Sequence, residues 1–240
     1  MHIDLNCDMG EGIGNDKGIM PFITSANIAC GFHAGDEQTM RSTILLAKKH
    51  CVHIGAHPSF LDRENFGRTE MFCSNEEVYK LVQQQLHTLK TIADDCEVVI
   101  HHVKPHGALY NMAARDQHLA EAICRAVKDF DERLVIYGLS NSHIITAARR
   151  IGLSAWQEVF GDRTYQADGS LTPRSHPGAL IENEEAAVGQ FLQMIQTQTV
   201  TTVNGGQIPI YPETVCLHGD GKHAVAFAKS IHYALHKFSS

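Results

Sequence analysis

The amino-acid sequence predicts an α/β fold on a parallel sheet, and three observations carry that prediction. Short apolar runs alternate with helical patterns along the whole chain, the runs number seven, and the segments between them repeat apolar residues at helical spacing.

The strand-like runs lie near residues 2–8, 25–31, 52–57, 98–104, 133–139, 154–160 and 214–219. Between the second and third, Met40, Ile44 and Ala47 share one helical face. Between the third and fourth, Val78, Leu81, Val82, Leu86 and Leu89 do the same, and Ser74-Asn75-Glu76-Glu77 reads as a capping box opening that helix. Leu119, Ile123, Val127 and Phe130 mark a further helix before the fifth strand, and Ala224, Phe227, Ile231 and Leu235 one after the last. Three segments fall outside the pattern: a polar loop at 58–73, a Pro/Gly-containing loop at 161–182, and a hairpin at 200–211 turning at Asn204-Gly205-Gly206. With no repeat, low-complexity tract or linker, residues 1–240 read as one domain.

Composition narrows the partners. A net charge of −7, with no run of Lys or Arg, speaks against nucleic acid and against an anionic membrane face. No apolar run approaches the roughly 18 residues of a membrane span. The seven cysteines are widely spaced and contain no CxxC pair, and no signal peptide is legible, so reduced thiols and a cytoplasmic location are expected.

The chemistry is concentrated where polar residues interrupt the strands. Side chains alternate faces along a strand. Ile3, Leu5 and Cys7 therefore share one face of the first strand, leaving Asp4, Asn6 and Asp8 on the other. Carboxylates on a buried face cost several kcal/mol if unpaired, so they are compensated or functional. The same spacing groups His53, Gly55 and His57 on the third strand, His102, Lys104 and His106 on the fourth, and Cys216, His218 and Asp220 on the last. Asn27, His33 and Asp36 belong to the second strand and the turn after it. These residues crowd toward the carboxyl ends of the strands, where α/β sheets and barrels assemble active sites.

Several of them have structural readings as well. Asp36 and Asp220 each precede a helix and suit an N-cap equally well. His53, His101 and His102 read as satisfied core residues. Arg63, Arg68, Arg163 and Arg174 lie in the two long loops, either as solvated charges or as a bidentate clamp for phosphate or carboxylate. An inward Lys104 requires a carboxylate or an anionic ligand, and near a reacting phosphoryl group or oxyanion it would neutralise negative charge. The sequence holds no GxxxxGK[ST], GxSxG or HExxH.

Read together, Ile3 to Gly12, Ser25 to Asp36, Gly55-Ala56-His57-Pro58, Phe66-Gly67-Arg68, His102 to Asn111, Pro173-Arg174-Ser175 and His218-Gly219-Asp220 resemble the motifs of the LamB/YcsF family, in family order. The resemblance implies a seven-stranded β/α barrel, a distorted TIM-type fold of the glycoside hydrolase/deacetylase kind. It also implies an enzyme component that opens the lactam of 5-oxo-L-proline to L-glutamate as ATP becomes ADP and phosphate, with Mg2+ accompanying the nucleotide and subunits B and C as partners. Asp8, His57, Lys104, His106 and Asp220 are then the candidate catalytic residues, and Asn6, Glu11, Asn27, His33, Asp36, Arg63, Arg68, Asn111 and Arg163 the candidates for holding substrate or nucleotide. Two other readings stand beside it. One is a metal-dependent deacetylase-like hydrolase of a carbohydrate or amide, with Asp8, His33 and His57 as metal ligands. The other is a non-enzymatic module that binds a small ligand.

Overall fold

The computed structural model describes residues 3–217 and 224–239. Seven parallel strands close into a barrel: β1 (Asp4–Met9), β2 (Ser25–Ala29), β3 (His53–His57), β4 (Ile100–Val103), β5 (Val135–Leu139), β6 (Ser154–Phe160) and β9 (Thr214–Leu217). Each expected strand is present, and closure comes from β9 pairing with both β1 and β6. The short strands β7 (Thr199–Thr201) and β8 (Gln207–Pro209) pair antiparallel as the expected hairpin, outside the barrel.

Helices α1 (Asp16–Ile19), α2 (Glu37–Lys49), α3 (Asn75–Asp95), α4 (Gly107–Arg115), α5 (Gln117–Phe130), α6 (His143–Arg150), α7 (Glu184–Thr197) and α8 (Ala224–Ser239) connect the strands. The capping box forms: Glu77 N–H donates to Ser74 Oγ at 3.3 Å, and Ser74 N–H to Glu77 Oε2 at 2.7 Å. Val78, Val82, Leu86 and Leu89 are buried on the inner face of α3, each contributing about 1.5–3 kcal/mol. The main apolar core lies between helices and strands, where Leu5, Cys7 and Met9 of β1 meet Ile28, Ile54, Val103 and Val215.

The other face of the strands lines the barrel interior, which is polar and threaded by hydrogen bonds. At its lower level, Asp4 accepts hydroxyl hydrogens from Thr24 and Ser25 on Oδ1 and from Thr214 on Oδ2, each at 2.6 Å. Three hydroxyl donors compensate this buried carboxylate. One level up, Asn6 donates to Glu158 Oε1 at 2.9 Å and to Thr214 Oγ1 at 2.7 Å, while Asn27 donates to Asn6 Oδ1 at 2.7 Å. His102 donates from Nε2 to Asn27 Oδ1 at 2.7 Å and stacks on Tyr137 at 4.2 Å between centroids. Gly55 makes room for that ring, because a Cβ there would lie 2.2 Å from it.

Candidate active site

Parallel strands all end at the same rim, so β1, β3 and β4 deliver Asp8, His57 and Lys104 to one place. The top level of the barrel interior is the floor of a cleft of about 1390 Å3, reached by Asp8, Glu11, His57, Lys104 and His106. The sequence expectation that Asp8, His33, His57, Lys104 and His106 converge is met, while Asp220 and His218 lie outside the described residues.

Lys104 anchors the floor. Its ammonium lies 2.9 Å from Asp8 Oδ1 and 2.9 Å from Glu158 Oε1, with the Cys216 sulfur at 3.0 Å and Asn6 Oδ1 at 3.3 Å. Burial works against its charge, yet the neighbouring carboxylates Asp8 and Glu158 outweigh that and hold its pKa well above the ordinary value. Burial pushes the Cys216 thiol far up as well, so sulfur takes part as a neutral group. Glu158 is the site residue that sequence reading missed, although counting in twos along β6 places Trp156, Glu158 and Phe160 on one face.

The histidines form a second cluster beside it. His57 presents Nδ1 to the Lys104 carbonyl at 2.7 Å, with Nε2 3.3 Å from Asp8 Oδ2 and 2.9 Å from His106 Nδ1. His106 directs Nε2 at the Phe66 carbonyl at 2.9 Å. His33 contacts Ser59 Oγ at 2.9 Å through Nδ1 and Glu11 Oε1 at 3.3 Å through Nε2, and stacks on His106 at 3.8 Å between centroids. Burial chiefly, with His57 next, lowers the pKa of His33 to about 3. Burial, followed by the neighbouring His33 and His57, pushes His106 well below its usual value.

The Phe66-Gly67-Arg68 motif explains itself here. Phe66 adopts φ +58°, uncommon for an aromatic residue, and this turns its carbonyl to His106. Gly67, at φ +67°, packs so closely that a Cβ would lie 2.9 Å from His33 and 3.0 Å from His106.

The remaining candidates divide. Glu11, Arg68, Asn111 and Arg163 line the cleft. Asn6 and Asn27 lie beneath it as the hydrogen-bonded wiring of the barrel interior. Arg63 reaches the Gly31 carbonyl at 3.0 Å. Arg163 spends its guanidinium on the carbonyls of Thr172, at 2.6 Å, and Ala179, at 3.3 Å, which ties down the 161–182 loop. Asp36 departs from the site altogether: it is exposed and caps α2 by accepting from Thr39 N–H at 2.8 Å, the structural alternative for a carboxylate before a helix. The three expected metal ligands, Asp8, His33 and His57, come together at the cleft floor. The donor atoms that lie together belong to Glu11, His33, His57 and His106, with Asp8 beside them.

This geometry now meets its relatives. The chain is 52% identical over 240 residues to the A component of 5-oxoprolinase from Bordetella pertussis, covering 98% of this chain and 95% of that protein. The 5-oxoprolinase A component numbered 1 of Bordetella bronchiseptica matches to the same extent. The crystal structure of the lactam utilization protein from Thermus thermophilus superposes with a TM-score of 0.92 at 40% identity, covering 100% of this chain and 98% of that one. The LamB/YcsF family profile matches residues 3–239, and the chain belongs to the LamB/YcsF family.

Proposed function

We propose that the chain is the A component of a cytoplasmic 5-oxoprolinase that opens 5-oxo-L-proline to L-glutamate at the expense of ATP, together with subunits B and C. The observation that carries this reading is the grouping of Asp8, His57 and His106 on the floor of a cleft, in a chain half identical to proteins named as the A component of 5-oxoprolinase.

A lactam resists attack by water because its carbonyl carbon is a poor electrophile. Transfer of the terminal phosphoryl group of ATP to the lactam oxygen breaks a P–O bond, releases ADP and activates that carbon. One water then adds and the C–N bond breaks, leaving an acyl phosphate. A second water releases phosphate and glutamate. In this reading Asp8, positioned by Lys104 and Asn27, accepts a proton from the attacking water, and His57 and His106 orient that water. Lys104 contributes positive charge behind the reacting centre. Arg68 and Asn111, on the cleft wall, hold the phosphate and carboxylate groups of the reactants. The Mg2+ that accompanies ATP takes oxygen ligands, which the phosphates of ATP itself supply.

The test is reconstitution. The chain mixed with subunits B and C, ATP and 5-oxo-L-proline releases glutamate and ADP together, while the chain alone does not. Glutamate release by the chain alone without ATP contradicts the proposal. A second reading, metal-dependent hydrolysis of an acetylated carbohydrate or amide, draws on the histidine cluster. Acetate release from an acetylated sugar by the isolated chain would favour it.

A further inference from the structure

The hydrogen bonds of the histidine cluster fix where its ring protons sit. A backbone carbonyl only accepts, so His57 Nδ1, 2.7 Å from the Lys104 carbonyl, carries hydrogen. The same holds for His106 Nε2, 2.9 Å from the Phe66 carbonyl. Ser59 spends its hydroxyl hydrogen on the Phe60 carbonyl at 2.9 Å, so its oxygen accepts from His33 Nδ1 at 2.9 Å. In the neutral rings the remaining nitrogens, His57 Nε2, His106 Nδ1 and His33 Nε2, are therefore lone-pair donors. All three converge, with a Glu11 carboxylate oxygen, so that the four atoms lie within 4.8 Å of one another.

Such an arrangement needs a positive centre. His57 Nε2 and His106 Nδ1 are 2.9 Å apart, and two lone pairs at that distance repel unless a proton or a cation lies between or beside them. We infer that Glu11, His33, His57 and His106 bind one divalent transition-metal ion, with Zn2+ the best match. Tetrahedral ligands at about 2.0–2.1 Å from zinc stand about 3.3 Å apart, so small side-chain shifts convert the cluster into a coordination shell. Three imidazoles and one carboxylate favour zinc and its transition-metal neighbours over Mg2+, which takes mostly oxygen.

The surroundings suit this role. Each imidazole is aimed by a hydrogen bond from its far nitrogen to a carbonyl or hydroxyl oxygen, the outer-shell arrangement of histidine metal ligands. Gly67 packs against His33 and His106 and limits their movement. The ion would lie at the cleft floor beside Asp8, whose Oδ2 is 3.3 Å from His57 Nε2. With the ion bound, His57 and His106 would position the attacking water of the proposed reaction through the ion rather than by direct hydrogen bonds.

The test is binding by the full-length chain. After treatment with a chelator, the chain is titrated with Zn2+ by calorimetry and separately with Co2+, whose visible absorption reports coordination geometry. The expected result is one ion per chain, a cobalt spectrum of four-coordinate type, and a raised thermal midpoint. Glu11→Gln, at the cleft edge, and His106→Gln each weaken the affinity at least tenfold, with far-ultraviolet circular dichroism confirming the fold. His53→Gln, in the stacked His53/His101 pair remote from the cluster, leaves the affinity unchanged. If the wild-type chain takes up no ion, or if Glu11→Gln and His106→Gln bind it as tightly as wild type, the inference is overturned, and the positive centre is a proton shared by His57 and His106.

Discussion

Lys104 Nζ lies 2.9 Å from Glu158 Oε1 across the barrel interior, with the two side chains 3% and 0% exposed. Because the same ammonium also reaches Asp8 at 2.9 Å, removing it takes the shared cation away from two buried carboxylates. Lys104→Met is expected to cost about 3–5 kcal/mol of folding stability, measured by denaturant unfolding, and the Lys104→Met/Glu158→Gln double variant to recover part of it. A Lys104→Met chain as stable as wild type would show that the pair is not needed for folding.

Gly55 and His102 stand in a steric relationship. A methyl group at Gly55 would lie 2.2 Å from a ring already held between Asn27 and Tyr137. Gly55→Ala is expected to cost about 3 kcal/mol or more, read as a lowered thermal midpoint. Full stability would mean that the ring has room to move.

Acid should loosen the barrel through His102. Burial first, then His101 and Lys104, push its pKa well below the ordinary value. The unfolded chain takes up this proton below about pH 6.5 and the folded chain does not, so the contribution to stability is intact above that pH and is lost as the pH falls. The expected slope is up to about 1.4 kcal/mol per pH unit for this one group. His102→Gln should flatten the fall by that amount in unfolding experiments on the acid side of neutrality, and an unchanged slope would contradict the assignment.

The 161–182 loop depends on Arg163, which binds the carbonyls of Thr172 and Ala179. Arg163→Met is expected to cost about 1–3 kcal/mol and to speed proteolysis within the loop. Cleavage at the wild-type rate would count against a tethering role.

The barrel was legible in the sequence because strand and helix periodicities alternate cleanly, and the site because Asp8, His57 and Lys104 interrupt strands near their ends. Glu158 was harder to read, since Gln157 and Glu158 are adjacent polar residues and only the register of β6 shows which one faces Lys104. The positions of Glu11 and His33 depend on turns, whose course is set by long-range contacts such as the one from His33 to Ser59. Asp36 illustrates the remaining ambiguity, because a carboxylate before a helix looks the same in sequence whether it caps or reacts.

The proposed function makes Asp8, His57 and His106 the reacting centre of a lactam-opening enzyme. Its most direct test is Asp8→Asn, which keeps the shape of the side chain and leaves Lys104 paired with Glu158. The variant is reconstituted with subunits B and C and assayed for ATP-dependent glutamate release. Turnover is predicted to fall by about a hundredfold or more, with the chain still folded and still assembling with its partners. Near-normal turnover by a folded, assembled Asp8→Asn enzyme would place the reaction elsewhere and contradict the account.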